Sequence, residues 1–305
     1  MKAIMRIAGG LLTLGFVGAW ACAGWADDLQ KPQRGKKVKV FLLAGQSNME
    51  GRADGAKLTR EDRERLQNIQ GHVQLAFNNE PIRPLDVVKP SEEIAEIYGR
   101  DRIFGPELFF GITLSEAWPE EQILLIKLSA GATSLYGCWN PDWQLDKAAA
   151  MGEEDEPKLY STLTNYVRQV LSGYEPNEYE ICAMLWVQGE TDTRNDAAAA
   201  AYGQNLETLI KQIRHDTGYD SLPFLLFQVG RGEVVAGMKR TARKVPNVTL
   251  IPQNLDPASP DFYEKMENGH YNCEGMKKLG RRFAEVFLSQ TFLRSGFTAE
   301  KTGQN

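Results

Sequence analysis

The chain has 305 residues, of which 42% are hydrophobic and 25% are charged, and its net charge is −5. This length suits one α/β domain with elaborated loops, and an acidic protein is a poor binder of nucleic acid or of an anionic membrane surface. Only four cysteines are present, so disulfides do not build the fold.

The N-terminus has the pattern of a cleaved signal peptide. Lys2 and Arg6 precede an apolar stretch, and small residues end the segment 1–26. Removing it changes the net charge from −5 to −7, because both cations are lost. We expect a secreted or periplasmic protein, with a lipid anchor on Cys22 as the less favoured alternative. Residues 27–37 are predicted to be a linker.

The remaining chain alternates strand-like and helix-like segments, which predicts a single domain over residues 38–291, followed by a tail over 292–305. Continuous apolar strands that alternate with amphipathic helices indicate a mostly parallel sheet covered on both faces. Strands are predicted at 38–44, 73–77, 123–128, 181–187, 224–229 and 248–251, and helices at 106–118, 160–171, 197–215, 234–243 and 275–290.

A serine follows the first predicted strand directly, in the stretch Gly-Gln-Ser-Asn-Met over residues 45–49. A buried strand that ends in a tight glycine turn can expose a nucleophile there. The stretch differs from the Gly-x-Ser-x-Gly motif of α/β-hydrolases, since Met49 stands at the second glycine position. Ser47 is therefore a candidate nucleophile, and the alternative is a serine that merely ends a strand.

A nucleophilic serine needs a base, and the chain has three histidines. His72 opens a predicted strand and His215 ends a predicted helix, so both suit surface or capping roles. His270 lies in a loop before the last helix, where a base can reach another loop. By elimination His270 is the candidate base, and Glu267 is the candidate acid that orients its ring.

Two other strand ends offer groups for an oxyanion hole. Gly131 follows the strand 123–128 and lets backbone N–H groups approach a developing charge. Gln188 follows the strand 181–187 with a neutral side-chain amide. Because polar groups at the carboxyl ends of parallel strands meet at one edge, these residues together indicate acyl transfer through a serine.

These motifs resemble the SGNH hydrolases, and within them the sialate O-acetylesterase and acetylxylan-esterase branch, carbohydrate esterase family 6. The resemblance covers residues 38–287 and rests on Gly-Gln-Ser-Asn-Met, Gly-x-Thr-Ser-Leu, Trp-x-Gln-Gly-Glu-x-Asp and a late His-Tyr-Asn. It implies a three-layer α/β/α sandwich of flavodoxin-like type, with Ser47 as nucleophile and His270 as base. It also implies oxyanion donors from the Ser47 amide, the Gly131 region and the Gln188 side chain.

Two positions depart from the family pattern. The family usually has aspartate three residues before the histidine, where this chain has Glu267. A longer carboxylate still reaches an imidazole, with more rotamer freedom; a backbone carbonyl is the alternative partner. Ala132 stands where a second glycine is common, and it removes no backbone donor.

The substrate-binding groups are predicted from two loops. Tyr136 and Trp139 lie in an aromatic loop, where they either stack on a sugar ring or plug the loop against the sheet. Glu190 is predicted to bind substrate or to cap the following segment. The acidic run 153–156 is predicted to be a solvated surface.

The sequence thus predicts a secreted serine esterase that removes O-acetyl groups from carbohydrate, without cofactor or metal, since it has no zinc-binding histidine or cysteine pattern. One alternative is a non-catalytic glycan-binding module, which failure of Glu267 to support His270 would favour. The other is an SGNH lipase, thioesterase or peptidase-like hydrolase with a deep apolar pocket. We also hypothesise a disulfide between Cys138 and Cys273.

Overall fold

The strands and helices lie close to their predicted positions. A computed structural model of the chain describes the backbone of residues 36–301 and the side chains of residues 36–291. The predicted signal segment, Cys22 and most of the linker lie outside these residues. The strands are β1 Val38–Gly45, β2 Ala53–Asp54, β3 Val73–Phe77, β4 Arg83–Pro84, β5 Ile103–Phe104, β6 Ile123–Ser129, β7 Tyr179–Val187, β8 Phe224–Phe227 and β9 Val248–Ile251.

Five of the helices were predicted, and the last of them extends past the predicted domain boundary at 291 to Lys301. The structure adds four shorter helices. In chain order the helices are α1 Ser47–Glu50, α2 Arg60–Asn68, α3 Glu92–Tyr98, α4 Pro106–Ala117, α5 Leu145–Met151, α6 Leu159–Leu171, α7 Asp196–Thr217, α8 Glu233–Lys244 and α9 Cys273–Lys301.

Seven strands form one sheet in the order β4-β3-β6-β1-β7-β8-β9. All neighbouring pairs in it are parallel except β3 with the two-residue β4. The expected mostly parallel sheet is confirmed, and β3 runs parallel to β6. Strands β2 and β5 form a separate small antiparallel ribbon.

Helices cover both faces of the sheet, because successive side chains of a strand point to opposite sides. Phe41 in β1 packs edge-on against Phe110 of α4 and Phe287 of α9. Leu42, the next residue, lines a cavity with Leu163 of α6 and Ile213 of α7. The three-layer α/β/α arrangement is therefore confirmed. Within the described residues, no helix has the length and apolar character to cross a membrane.

Candidate active site

Ser47 lies where β1 ends and α1 begins. The chain turns there through Gly45, whose φ is 151°, and a Cβ on this residue would come within 2.1 Å of the Val187 carbonyl oxygen. Only glycine fits this close approach to β7. The turn places Ser47 at the carboxyl edge of the sheet as the first residue of α1, with 7% of its surface exposed.

The structure brings His270 to Ser47 across 223 residues of sequence. The Nε2 atom of His270 lies 3.0 Å from the Ser47 hydroxyl oxygen. The His270 loop, between β9 and α9, is closed by the Met266 amide, which donates to the His270 carbonyl oxygen at 2.7 Å. The 3.0 Å separation of His270 Nε2 and Ser47 Oγ is a hydrogen-bond distance, at which an imidazole can accept the serine proton.

The residues that follow Ser47 and His270 also bind each other. The Tyr271 amide donates to Asn48 Oδ1 at 3.2 Å, and Asn48 Nδ2 donates to Glu190 Oε1 at 2.7 Å. Glu190 is therefore engaged with the residue beside the nucleophile. The role of Glu190 in substrate binding stays a prediction. Burial raises the pKa of Glu190, and the Asn48 hydrogen bond opposes that rise.

Gly131 faces the nucleophile, as predicted. A Cβ on Gly131 would lie 3.9 Å from the Ser47 Cβ and 3.3 Å from Nη2 of Arg52. Gly131 therefore lies next to Ser47 and Arg52. The role of the Ser47 and Gly131-region amides as oxyanion donors stays a prediction. Ala132 has a φ of 57°, the left-handed region, which explains why a glycine suits that position.

Gln188 requires a correction, because its side-chain amide is already bound. It is fully buried, and its Nε2 donates to the Thr133 carbonyl oxygen at 3.0 Å and to Asp192 Oδ2 at 2.6 Å. A third acceptor, Gln46 Oε1, lies 3.4 Å from Nε2, so the acceptors around this atom fix the amide orientation and use both N–H bonds. Gln188 braces the loop behind Gly131 and offers no donor to an oxyanion.

Glu267 also requires a correction. Its side chain is exposed, and within the described residues no hydrogen bond or ion pair joins it to His270. The Nδ1 atom of His270 instead lies 3.1 Å from the Tyr98 hydroxyl and 3.2 Å from Asn268 Oδ1. Sequence reasoning missed both: Tyr98 lies in a stretch where no strand or helix was predicted, and Asn268 lies one residue beyond the expected acid.

The electrostatic environment keeps His270 neutral. Burial, followed by the positive charges of Arg52 and Lys265, lowers the pKa of His270 to about 4. Arg52 is 5% exposed, and it donates to Glu50 Oε2 at 2.7 Å and to the Gly51 carbonyl oxygen at 2.8 Å. No motif in the sequence pointed to Arg52. A neutral imidazole is the form that accepts a proton.

The aromatic loop folds inward. Trp139 is fully buried; its indole donates to Thr133 Oγ1 at 2.9 Å, and its ring packs edge-on against Trp186. Of the two roles considered, it therefore plugs the loop against the sheet, and the substrate-binding prediction is wrong for this residue. The Tyr136 ring is half-buried beneath the Lys147 ammonium group, 5.7 Å from its centre. Its role in substrate binding remains a prediction.

Two further expectations are corrected in the same region. Glu153 is 4% exposed, whereas the rest of the run 153–156 is solvated. Cys138 is a buried thiol, and Cys273 is a free thiol whose Sγ lies 3.5 Å from the Asp54 carbonyl oxygen. The hypothesised disulfide is not formed.

A serine hydroxyl within hydrogen-bond distance of a neutral imidazole, at the carboxyl edge of a parallel sheet, matches the geometry of a serine hydrolase of α/β/α fold. Among the described residues, no group of three or more histidine, cysteine or acidic side chains is arranged to hold a metal ion.

The family is shown by comparison with known proteins. Residues 37–289 match the model of a family described as carbohydrate esterase, sialic acid-specific acetylesterase. The chain belongs to this family. A probable carbohydrate esterase of Arabidopsis thaliana is 34% identical over 113 residues, which are 36% of this chain and 41% of that protein. The matched segment thus spans less than half of that relative's length.

Solved structures of similar fold include the following three. An Arabidopsis thaliana protein has a TM-score of 0.60 at 21% identity, covering 83% of this chain and 98% of the other. NanS has a TM-score of 0.56 at 15% identity, covering 88% and 100%. A carbohydrate acetylesterase of Xanthomonas citri has a TM-score of 0.51 at 17% identity, covering 81% and 55%. Because all three identities are below 25%, the TM-scores show a shared fold and nothing more.

Proposed function

We propose that this protein is a serine esterase that removes O-acetyl groups from carbohydrate. The observation that carries the proposal is the 3.0 Å contact between Ser47 Oγ and His270 Nε2 beside the backbone of Gly131. Membership of a carbohydrate esterase family supports the substrate class. The sequence pattern of residues 1–26 supports secretion as part of the same proposal.

In this mechanism Ser47 attacks the acetyl carbonyl carbon while His270 takes the hydroxyl proton. The Ser47 amide and the amides of the Gly131 region stabilise the oxyanion of the tetrahedral intermediate. His270 then gives its proton to the sugar oxygen as the ester bond breaks, leaving an acetyl group on Ser47. Water, deprotonated by His270, releases acetate and restores the serine.

The alternative of a non-catalytic glycan-binding module is not favoured, even though Glu267 does not contact His270. The His270 ring is still held at Nδ1, by Tyr98 and Asn268, and its Nε2 still meets the nucleophile. A binding module has no need for that alignment. The esterase assignment therefore stays the better supported one.

The test is hydrolysis of an aryl acetate, acetylated xylan and acetylated sialic acid by the wild type and two variants. Ser47→Ala and His270→Ala should each lower kcat by about 10⁴-fold, and the double variant should be hardly worse, because the two groups act as a unit. Ser161→Ala and His215→Ala, both at exposed positions, are the matched controls. Retention of most activity by either active-site variant would overturn the assignment.

A further inference from the structure

Within residues 36–291, no carboxylate contacts the imidazole of His270, and two neutral groups lie beside its Nδ1 atom instead. For Nε2 to accept the Ser47 proton, the hydrogen of the neutral imidazole must be on Nδ1. Nδ1 lies 3.1 Å from the Tyr98 hydroxyl and 3.2 Å from Asn268 Oδ1. Both groups can accept a hydrogen bond from Nδ1–H.

The orientation of the Asn268 amide selects this tautomer. Asn268 Oδ1 accepts the His270 backbone N–H at 3.3 Å, and Asn268 Nδ2 donates to the Tyr98 hydroxyl at 3.3 Å. These two contacts fix which end of the amide faces the ring. With an oxygen facing Nδ1, the hydrogen belongs on Nδ1, and Nε2 is left free to act as the base.

Tyr98 is itself held in place. It is the last residue of α3, which ends at Gly99 in the left-handed conformation. The Tyr98 ring meets the His270 ring edge-on, with centres 5.9 Å apart, and Arg100 lies 5.4 Å from its centre. Arg100 also contacts Met266 Sδ at 3.1 Å, which ties the end of α3 to the loop that carries the base.

We propose that Tyr98 and Asn268 are positioning residues that together replace the acidic member of the triad, holding His270 in its productive tautomer through neutral oxygens. The inference rests on the proposed esterase function. It goes beyond that function by assigning the orienting role to a helix residue, Tyr98, far from His270 in sequence.

A neutral partner changes how the base responds to pH. The charged groups that face the site are Arg52, Arg100 and Lys265, while the nearby carboxylates are engaged, Glu50 with Arg52 and Glu190 with Asn48. Among the side chains that the structure describes, none therefore places an unpaired negative charge beside Nδ1 to stabilise the imidazolium. The acid limb of kcat/KM should then lie well below the ordinary histidine range, near the pKa of about 4 given by burial and the two cations Arg52 and Lys265.

The decisive variant is Asn268→Asp, which puts a carboxylate beside Nδ1 at an exposed position. An opposite charge within hydrogen-bond distance should raise the His270 pKa by about 1 to 3 units and move the acid limb of kcat/KM upward by that amount. Tyr98→Phe and Asn268→Ala should each lower kcat about 10-fold, and the double variant up to about 100-fold, with smaller changes in KM. Glu267→Gln is the matched control and should leave both kcat and the acid limb unchanged.

Imidazole ¹H–¹⁵N spectra of the wild type and the same variants separate this inference from the esterase assignment. They report the tautomer and pKa of His270 whether or not the protein turns over an ester. A wild-type ring protonated on Nδ1 and an upward shift in Asn268→Asp would support the inference. An unmoved His270 pKa in Asn268→Asp, or a shift caused by Glu267→Gln, would overturn it. A wild type that shows the expected tautomer but hydrolyses no acetyl ester would instead reject the proposed function.

Discussion

At the scale of single residues, the nucleophile and the base are fixed relative to each other by the residues that follow them. The Tyr271 amide binds Asn48 Oδ1, so the backbone just after His270 is tied to the side chain just after Ser47. Glu190 accepts from Asn48 Nδ2 and thereby sets which end of the Asn48 amide faces Tyr271. The separation of Ser47 and His270 depends on this amide.

Changing Glu190 tests this dependence. Glu190→Gln keeps an oxygen that can accept from Asn48, so kcat should stay within a few-fold of the wild type. Glu190→Ala removes the acceptor, lets the Asn48 amide turn, and should lower kcat about 10-fold, since small misplacements of reacting groups are costly. Steady-state kinetics on an aryl acetate measure both. A rise in KM with unchanged kcat in Glu190→Ala would show that Glu190 contacts substrate directly.

At the scale of elements, buried carboxylates shape the loop that carries Gly131. Asp192 accepts the Leu135 and Tyr136 amides, each at 3.0 Å, as well as the Gln188 amide. Glu153 accepts the amides of Ser134 and Cys138 at 2.7 and 3.0 Å. Carboxylates that accept several backbone N–H donors replace the hydrogen bonds that a strand or helix would otherwise supply. The loop is therefore rigid without regular structure.

Asp192→Asn tests this anchoring. The substituted amide brings N–H groups into a site with three donors, so at least one buried donor loses its acceptor. The free energy of unfolding should fall by about 1–3 kcal/mol in urea denaturation. The kcat should fall about 10- to 100-fold, because the Gly131 amides shift. Asp155→Asn, the same substitution at an exposed position, should change neither. A fully active, fully stable Asp192→Asn would show that the loop holds its shape without this carboxylate.

The sheet and the two reacting residues could be predicted from sequence because each signal is local. A continuous apolar strand followed by a polar turn fixes the position of Ser47, and only one of the three histidines lies in a suitable loop. The orienting groups have no such signal. Tyr98 ends a short polar helix in an insertion, and its partner is 172 residues away.

The roles of buried polar side chains were also beyond sequence reasoning. Gln188 and Trp139 occur in the expected blocks, but their partners decide what they do. The Gln188 side-chain amide donates to Thr133 and Asp192, and Trp139 packs on Trp186 inside the core. A motif gives the position of a residue along the chain, whereas its hydrogen-bond partners depend on the folded loops around it.

At the scale of the whole molecule, a buried ion pair joins the sheet, one helical layer and the nucleophile. Lys127 of β6 lies 2.5 Å from Glu107 of α4, and both side chains are completely buried. Lys127 Nζ also donates to the Glu50 carbonyl oxygen at 2.9 Å, at the end of the helix that begins with Ser47. Burial lowers the pKa of Lys127, and the Glu107 charge opposes that change. The pair is stable because each charge compensates the other.

Glu107→Gln should therefore destabilise the protein by about 3–5 kcal/mol, because it leaves the Lys127 charge buried without a counter-charge. The pKa of Lys127 then falls further below its unfolded value, so folding releases a proton and the free energy of unfolding should rise with pH between about 7 and 10. Urea denaturation across that range measures both effects, with Glu154→Gln as the exposed control.

The double variant Glu107→Leu/Lys127→Met removes both charges and should recover much of the free energy of unfolding that Glu107→Gln loses. If the pH dependence of Glu107→Gln matches that of the wild type, Lys127 does not carry a buried charge and this account of the pair is wrong.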